Sequence, residues 1–269
     1  MTAARKTSQP TALITGASSG IGEALARRFA RAGHPLVLVA RNRAKLEALA
    51  ASLAADHAVP VRVEGVDLVQ AGAPAALATR LKRARVAVEI LVNNAGVLAQ
   101  GDFTTLSPLR HQELIDLNVS ALTAMLAHFL PPMQARGRGR VLNVASIAAF
   151  QPIPRLATYA ATKAFVLSLT ESLADELRDA GITVTALCPG ITATGMLSSA
   201  VEANARLSGL PGFLIGDADQ VADEGYRACM EGDVIRVPGV VNQAVTLASR
   251  ATPKWLLRRV AGTLARRVG

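Results

Sequence analysis

Tyr159 and Lys163 are the two residues of this chain whose types and spacing best suit proton transfer. We interpret residues 156–178 as a helix, on which positions i and i+4 lie on one face. A phenol beside an ammonium group favours its ionised form, so we expect Lys163 to lower the pKa of Tyr159 from about 10 toward neutrality. Such a group can act as a general acid or base. The alternative is a helix whose tyrosine and lysine have no chemical role.

Ser146 supplies a second hydroxyl for the same chemistry. Residues 139–145 predict a strand that carries Ser146 at its carboxyl end, where open α/β sheets bind their ligands. Ser146 and Tyr159 would give two donors to an oxygen that gains negative charge. Asn118 lies in a predicted helix over residues 107–129, and is either satisfied by nearby backbone or part of a proton relay.

A glycine-rich turn, GASSGIG at residues 16–22, follows a short apolar run over 11–15 and precedes a helical pattern over 23–32. Glycines allow close approach of a pyrophosphate, and the helix start offers free N–H groups and a positive dipole end. The spacing G-x-x-x-G-x-G differs from the commoner G-x-G-x-x-G. The alternative is an ordinary strand-to-helix turn, which the flanking TGASSGIG sequence argues against.

The residue after the second predicted strand, 35–40, indicates which dinucleotide binds. Folds that prefer NAD usually place an acidic residue at this strand end, whereas this chain has Ala40 followed by Arg41. A guanidinium binds a 2′-phosphate through charge-assisted hydrogen bonds. We therefore predict NADP(H) in preference to NAD(H), the alternative being that Arg41 is only a surface charge. Asp67, at the next strand end, either accepts from an adenine amino group or caps the following segment.

The strands that position these residues alternate with helices. The first four are near-continuous apolar runs, which predicts a parallel sheet covered on both faces. Small residues after the fourth strand, Asn93-Asn94-Ala95-Gly96, let a cofactor lie against the backbone, and Asn93 can join neighbouring strands. The later predicted elements are strands over 181–187 and 234–237 and a helix over 221–230. Without a repeat or a linker, we predict one domain over residues 10–250 after a flexible arm over 1–9.

Composition excludes several classes of protein. The net charge is +9 and the pI about 10.5, but no nucleic-acid-binding motif accompanies this charge, so we expect no nucleic-acid partner. Two cysteines and four scattered histidines form neither a disulfide framework nor a metal site, which indicates a cytoplasmic protein without a metal. Residues 1–9 lack the apolar core of a secretory signal, and no apolar run reaches the ~18 residues of a membrane-spanning helix.

Taken together and in order, these motifs resemble the single-domain short-chain dehydrogenase/reductase family over roughly residues 11–240. The blocks that match are TGASSGIG at 15–22, Asp67, NNAG at 93–96, Asn118, Ser146, Tyr159-x-x-x-Lys163 and Pro189-Gly190. Each block is weak alone, whereas the ordered set is specific. The resemblance implies a doubly wound, Rossmann-like sheet of seven parallel strands with helices on both faces, and homodimers or homotetramers.

The resemblance also implies an activity, hydride transfer between NADP(H) and a small carbonyl/alcohol substrate, and a role for each matching residue. Ser146 would hold the substrate oxygen and Tyr159 would donate or accept its proton. Lys163 would bind the nicotinamide ribose and lower the pKa of Tyr159, and Asn118 would hold a water that links Lys163 to solvent. The cofactor would contact Gly16, Ser18, Ser19, Gly20, Ile21, Gly22, Arg41, Asp67, Leu68, Asn94, Ala95, Gly96, Tyr159, Lys163, Pro189, Gly190, Ile191, Thr192 and Thr194.

The substrate is less clearly indicated. Residues 195–216 lack a clear long period and contain several glycines, which is typical of a lid that covers a substrate. Apolar residues of this segment, such as Met196, and Phe150 near the site favour an apolar ketone or aldehyde. The alternative is that these residues belong to the core. We therefore assign Ser146, Phe150, Tyr159 and Met196 as substrate-binding residues.

The end of the chain, residues 251–269, is predicted to be a basic amphipathic helix. Over residues 253–268, apolar positions recur at helical spacing and arginines lie on the opposite face. This pattern suits peripheral contact with a membrane, and equally suits a terminal helix docked on the protein itself or on another subunit. Two other functions therefore stay open beside the enzyme: a non-catalytic NADP-binding protein and a membrane-surface interaction protein.

Overall fold

A seven-stranded parallel sheet organises the fold of this computed structural model, which describes residues 9–193 and 215–251 of the chain. The strand order is β3-β2-β1-β4-β5-β6-β7, so the order reverses between β1 and β4. This confirms the predicted doubly wound, Rossmann-like sheet. The strands are β1 (Thr11–Thr15), β2 (Leu36–Ala40), β3 (Val61–Gly65), β4 (Val88–Asn93), β5 (Gly139–Val144), β6 (Ile182–Leu187) and β7 (Ile235–Arg236).

Helices cover both faces of this sheet. They are α1 (Gly20–Arg31), α2 (Arg43–His57), α3 (Ala73–Arg83), α4 (Pro108–Ile115), α5 (Leu122–Ala135), α6 (Ala157–Glu176), α7 (Ala218–Glu231) and α8 (Val240–Ala251). Successive side chains of the central strands enter different hydrophobic clusters, as Leu13 and Ile14 of β1 do. Burial on both faces explains why the central strands are near-continuous apolar runs.

The helix predicted over residues 107–129 differs from the structure in one respect. A six-residue π-helical segment, Asp116–Ala121, separates α4 from α5 and contains the buried Asn118. A π-helical turn changes the backbone hydrogen-bond register locally and is frequent at functional sites. The helix α8, for which the sequence suggested no element, also follows β7 directly.

The combined helical stretch 108–135 is the one stretch of the described residues that is long and apolar enough to cross a membrane by length and composition, with a mean hydropathy of 1.4. In the fold, Met125, Leu126 and Phe129 of this stretch are buried in the core cluster that also contains residues of α3, β4 and β5. Packing within the protein thus explains these apolar side chains of the stretch, whereas Leu109 and Ile115 are exposed.

A buried polar chain ties the centre of the sheet to α6. Asn93 and Asn143 are register partners on β4 and β5, and Asn93 Nδ2 donates to Asn143 Oδ1 at 2.9 Å. Asn143 Nδ2 in turn donates to Thr170 Oγ1 of α6 at 3.0 Å. The prediction that Asn93 joins neighbouring strands is confirmed. These bonds fix α6, which carries Tyr159 and Lys163, against the strand that carries Ser146.

Candidate active site

The carboxyl ends of the strands border a cleft of about 1040 Å³. It lies where the strand order reverses, which is the usual ligand position in open α/β sheets. Every predicted cofactor residue that the structure describes lines this cleft, from the glycine turn through Arg41, Asp67 and the NNAG segment to Pro189 and Thr192. Ser146, Tyr159 and Lys163 line it too, so a single space brings the separate sequence motifs together.

Ser146 and Tyr159 contact each other through their hydroxyl groups. Ser146 follows β5, and its Oγ accepts from the backbone N–H of Ala148 at 3.1 Å. Tyr159 is the third residue of α6 and is only 9% exposed. Both hydroxyls line the cleft, so that both could donate to one oxygen bound there.

Lys163 lies one turn further along α6 and is buried. Its Nζ donates to the carbonyl oxygen of Val144 at 2.9 Å and lies 5.8 Å from the centroid of the Tyr159 ring. Burial lowers the pKa of Lys163 to about 8. The predicted placement of the two side chains on one helix face is therefore observed.

The expected effect of Lys163 on its neighbour is wrong. Burial raises the pKa of Tyr159, and the hydrogen bond with Ser146 opposes this only in part. Lys163, whose Nζ donates to the Val144 carbonyl oxygen, does not contribute to the shift of the Tyr159 pKa in this arrangement. In this arrangement Tyr159 is a neutral phenol at neutral pH, which is the proton-donor form.

Asn118 lies behind the cleft wall. Its Oδ1 accepts from the backbone N–H of Val97 at 2.9 Å, and its Nδ2 donates to the Val97 carbonyl oxygen at 2.9 Å and to Thr162 Oγ1 at 3.2 Å. Of the two interpretations left open, backbone satisfaction therefore describes the side chain. These bonds hold the segment after β4, so that Asn118 supports the wall beside Lys163.

The glycine turn is closed by contacts that leave no room for side chains. A Cβ at Gly22 would lie 2.2 Å from the carbonyl oxygen of Gly16, and one at Gly16 would lie 2.8 Å from Nδ2 of Asn94. Gly16 also has a φ of +66°, which favours glycine. Asn94 Nδ2 donates to the Thr15 carbonyl oxygen at 2.9 Å, so this residue, predicted to contact the cofactor, also braces the turn.

The start of α1 fits a pyrophosphate. Ser19 precedes the helix, and its side chain makes no capping hydrogen bond. The first residues of α1 line the cleft, and no Ser19 side chain occupies their N–H groups. Uncapped N–H groups of this kind bind anions at helix starts.

Arg41 and Asp67 border the same end of the cleft. The exposed Arg41 guanidinium makes no ion pair with any residue of the described ranges, whereas Arg43 pairs with Glu47 at 2.7 Å. Asp67 Oδ1 accepts weakly from the Val69 N–H at 3.4 Å, which matches the capping alternative. The described residues thus offer a free cation beside the anion-binding turn, as a phosphorylated dinucleotide requires.

Some predicted residues are not at the cleft. Phe150 packs against the main core cluster and is absent from the residues that line the cleft, because the turn Ile147–Phe150 directs it toward the core. Thr194, Met196 and most of the predicted lid 195–216 lie outside the described residues. The arm over 1–9, apart from Gln9, and the basic tail over 253–268 also lie outside them.

Other residues at the site were not predicted. Gln100, Arg110, Ile153 and Leu156 line the cleft. Thr15 is also structurally important, since its Oγ1 donates to the Val92 carbonyl oxygen and accepts from the Asn94 and Ala95 N–H groups. A polar residue that ends an apolar strand was the available signal for Thr15. The other four carry no motif and are brought together only by the fold.

Comparison with known proteins places this geometry in a family. The model of the short chain dehydrogenase family matches residues 10–205. Oxidoreductase UcpA of Escherichia coli K12 is 39% identical over 194 residues, which cover 70% of this chain and 72% of that protein. The chain therefore belongs to the short-chain dehydrogenase family of oxidoreductases, as the sequence motifs indicated.

Solved structures agree with this assignment. A short-chain dehydrogenase from Sphingobium yanoikuyae in complex with NADPH has a TM-score of 0.79 and 35% identity, over 91% of this chain and 96% of that one. The bulky-bulky ketone specific alcohol dehydrogenase from Comamonas testosteroni has a TM-score of 0.76 and 33% identity, over 92% and 96%. Fold and family are thus shared along nearly the whole chain.

Proposed function

We propose that this protein is an NADP(H)-dependent oxidoreductase that interconverts an apolar ketone or aldehyde and its alcohol, with Tyr159 as the general acid/base. The observation that carries the proposal is the Ser146–Tyr159 hydroxyl pair beside buried Lys163. This group lines the same cleft as the glycine turn and Arg41. A proton donor and an anion-binding turn in one cleft are what carbonyl reduction with a dinucleotide needs.

The bound nicotinamide would supply or accept the hydride. Ser146 Oγ and Tyr159 Oη would both donate hydrogen bonds to the substrate oxygen, which stabilises the charge that develops there. Tyr159 would then transfer its proton to that oxygen. Because burial raises the pKa of Tyr159, the phenol is in its donor form at neutral pH, which favours reduction.

Lys163 and Asn118 would support this transfer. Lys163 Nζ, bonded to the Val144 carbonyl oxygen, lies where a donor can also reach a ribose hydroxyl. A Cβ at Gly96 would lie 3.1 Å from Asn118 Oδ1 and 3.6 Å from Lys163 Nζ, so Gly96 keeps these two groups in reach of each other. This proximity supports the proposal that Asn118 helps to hold a water that links Lys163 to solvent.

Arg41 supports the preference for NADP(H). Its guanidinium borders the cleft without an ion pair among the described residues, and no carboxylate stands at the end of β2 to repel a 2′-phosphate. The NADPH complex of the Sphingobium yanoikuyae relative agrees with this proposal.

Three observations support an apolar substrate beneath a lid. Leu98, Ile153 and Leu156 line the cleft beyond the hydroxyl pair, and the Comamonas testosteroni relative is described as specific for bulky-bulky ketones. Gly216, the last residue of the proposed lid 195–216, is bonded to the described residues that precede the lid. Its N–H donates to the Ile191 carbonyl oxygen at 2.7 Å, and its carbonyl oxygen accepts from the Ala193 N–H at 3.0 Å. Met196 belongs to this proposed lid.

Turnover of a carbonyl panel tests the proposal. We expect the purified protein to oxidise NADPH, followed by its absorbance, in the presence of apolar cyclic or aromatic ketones. The alternative is a non-catalytic NADP-binding protein, which would bind NADPH without consuming it with any carbonyl compound of the panel. NADPH binding without turnover would thus contradict the enzyme and favour the non-catalytic NADP-binding protein. Absence of both NADPH binding and turnover would contradict both proposals.

A second function, peripheral membrane contact, is supported by α8. Val240 and Leu247 of this helix are 81% and 71% exposed, and α8 leads directly into residues 253–268, which carry basic but no acidic residues. Co-sedimentation with phosphatidylserine-containing vesicles should be stronger for the full chain than for a chain ending at Arg250. Equal partitioning of the two chains into vesicles would contradict membrane contact through the tail. The alternative, a tail that docks on the protein itself or on another subunit, would then be favoured.

Assembly and location complete the proposal. Leu109 and Ile115 of α4 and Phe165 of α6 are exposed apolar residues on two helices that pack together. These residues support a homodimer or homotetramer, for which light scattering during size exclusion is the direct measurement, and the location that we propose is the cytoplasm. A monomeric mass at micromolar concentration would contradict it.

A further inference from the structure

Two loops form the substrate end of the cleft and are fastened to each other. Residues 97–106 follow β4, and residues 150–156 precede α6. The Gly101 N–H donates to the Arg155 carbonyl oxygen at 2.9 Å, and Arg155 Nε lies 3.6 Å from Asp102 Oδ1. Arg155 has a φ of +68°, a conformation that non-glycine residues adopt rarely and that surrounding contacts must hold.

His111 of α4 fastens the first loop to the start of α6. Its Nδ1 lies 2.8 Å from Thr158 Oγ1, and its Nε2 lies 3.0 Å from the Phe103 carbonyl oxygen. The His111 and Phe103 rings also pack with centroids 4.3 Å apart. Because Nε2 needs a hydrogen to bond the carbonyl, Nδ1 accepts from the Thr158 hydroxyl in the neutral ring. Thr158 immediately precedes Tyr159.

We call the contacts of Gly101, Asp102, Phe103, His111, Arg155 and Thr158 the clasp. Beneath the clasp, an apolar cluster contains Ala99 and Leu106 of the first loop, Ile153 of the second, and Tyr159 itself. Leu98 and Ile153, one from each loop, line the cleft. The separation of the two loops therefore determines how much room a substrate has beside the Tyr159 hydroxyl.

We propose that His111 is a positioning residue that holds loop 97–106 against the start of α6 and thereby limits the size of the carbonyl compound that the cleft admits. This inference rests on the proposed carbonyl oxidoreductase function. His111 does not line the cleft, so it acts through Phe103 and Thr158. Without the ring, residues 101–103 keep their bonds to Arg155 and the bonds within the loop from Thr105 and Leu106 to the Asp102 carbonyl oxygen. The earlier part of the loop stays bonded to α4, because Arg110 Nη2 donates to the Leu98 carbonyl oxygen at 2.8 Å.

Backbone hydrogen exchange of the full-length protein tests the positioning step. His111→Ala should speed the exchange of amides in residues 99–106, whereas His128→Ala, at an exposed histidine of α5, should not. Exchange in this loop that is the same in both variants would overturn the role of His111. This readout does not depend on turnover.

Kinetics with two ketones test the effect on size. The ratio of kcat/KM for benzophenone to that for cyclohexanone should rise by at least about threefold to tenfold in His111→Ala, because that factor corresponds to one hydrogen bond and this variant loses the bonds to both Thr158 and Phe103. NADPH affinity should not change. Thr158→Val, which breaks only the Thr158 bond, should have a smaller effect, and its addition to His111→Ala should change the ratio little, because that bond is already lost. His111→Gln, which can still donate and accept, should restore part of the selectivity.

The outcomes separate the inference from the proposed function. A wild-type protein that reduces no carbonyl compound would overturn the proposed function, and size selection with it. An active wild type whose ketone ratio is unchanged by His111→Ala would overturn the inference alone. Equal losses for both ketones would also overturn it, because a merely structural role has that signature.

Discussion

At the scale of single residues, the protonation of Tyr159 is determined by its surroundings. The sequence places a lysine one helical turn away, and on that ground alone the pKa of Tyr159 is expected to fall. In the fold, burial of the phenol raises its pKa, and the hydrogen bond with Ser146 opposes this only in part. The spacing of two residues could be predicted from the sequence, but their desolvation could not, because it depends on every element packed around them.

Arg41 offers a test of cofactor preference. In Arg41→Ala, we expect the preference for NADPH over NADH to fall about 10-fold to 100-fold, because a charge-assisted bond to the 2′-phosphate contributes roughly 1.5–3 kcal/mol. Affinities of both cofactors, measured by fluorescence titration, give this ratio. Arg43→Ala is the matched control, since Arg43 pairs with Glu47 and does not line the cleft. Equal ratios in the two variants would contradict the role of Arg41.

At the scale of elements, sequence patterns predicted those parts whose burial is uniform. The strands β1 and β4 are buried on both faces and were found from their apolar runs. The π-helical segment around Asn118 was not, because an apolar stripe does not record which carbonyl each N–H bonds. The helix α8 was also missed, and several of its apolar side chains, such as Val240 and Leu247, are exposed in the structure.

The polar chain between β4, β5 and α6 makes a prediction about stability. Asn143→Ala should lower the free energy of unfolding by about 2–4 kcal/mol, because it removes two buried hydrogen bonds and leaves Asn93 and Thr170 without their Asn143 partner. Urea denaturation measures this change. Gln112→Ala, at an exposed amide, should change stability by less than about 0.5 kcal/mol. A similarly small loss for Asn143→Ala would show that the polar hydrogen bonds between β4, β5 and α6 contribute little to stability.

At the scale of the whole molecule, burial of Lys163 links stability to pH. Its pKa is 10.5 in the ordinary case and about 8 in the fold. Between these values, the unfolded chain binds the proton more readily than the folded protein, so the free energy of unfolding rises with pH through this window. Below about pH 8 both states are protonated, and burial of the charge lowers stability by roughly 3 kcal/mol.

Lys163→Met removes this dependence and provides the test. Urea denaturation of the ligand-free proteins should show the wild type gaining up to about 3 kcal/mol relative to Lys163→Met between about pH 8 and about pH 10.5. The comparison cancels other groups that titrate in the same range. A constant difference, or a loss by the wild type as the pH rises, would contradict the burial of a titrating amine.

The seven-stranded sheet and most of the candidate site could be predicted from ordered motifs, because each motif carries its own local geometry. Residues such as His111 and Leu156 could not, since they have no motif and reach the cleft or its clasp only through tertiary packing. The substrate end is therefore the part of the molecule for which the structure added most.

Substitution of Tyr159 tests the central proposal most directly. Tyr159→Phe removes one hydroxyl, so kcat for ketone reduction should fall by at least about 10²-fold while the affinity for NADPH is unchanged. The only other tyrosine, Tyr226, bonds His34 beneath α1, and Tyr226→Phe should keep full activity. Loss of turnover confined to Tyr159→Phe is the expected result. Robust turnover by Tyr159→Phe would contradict the assignment of Tyr159 as the proton donor.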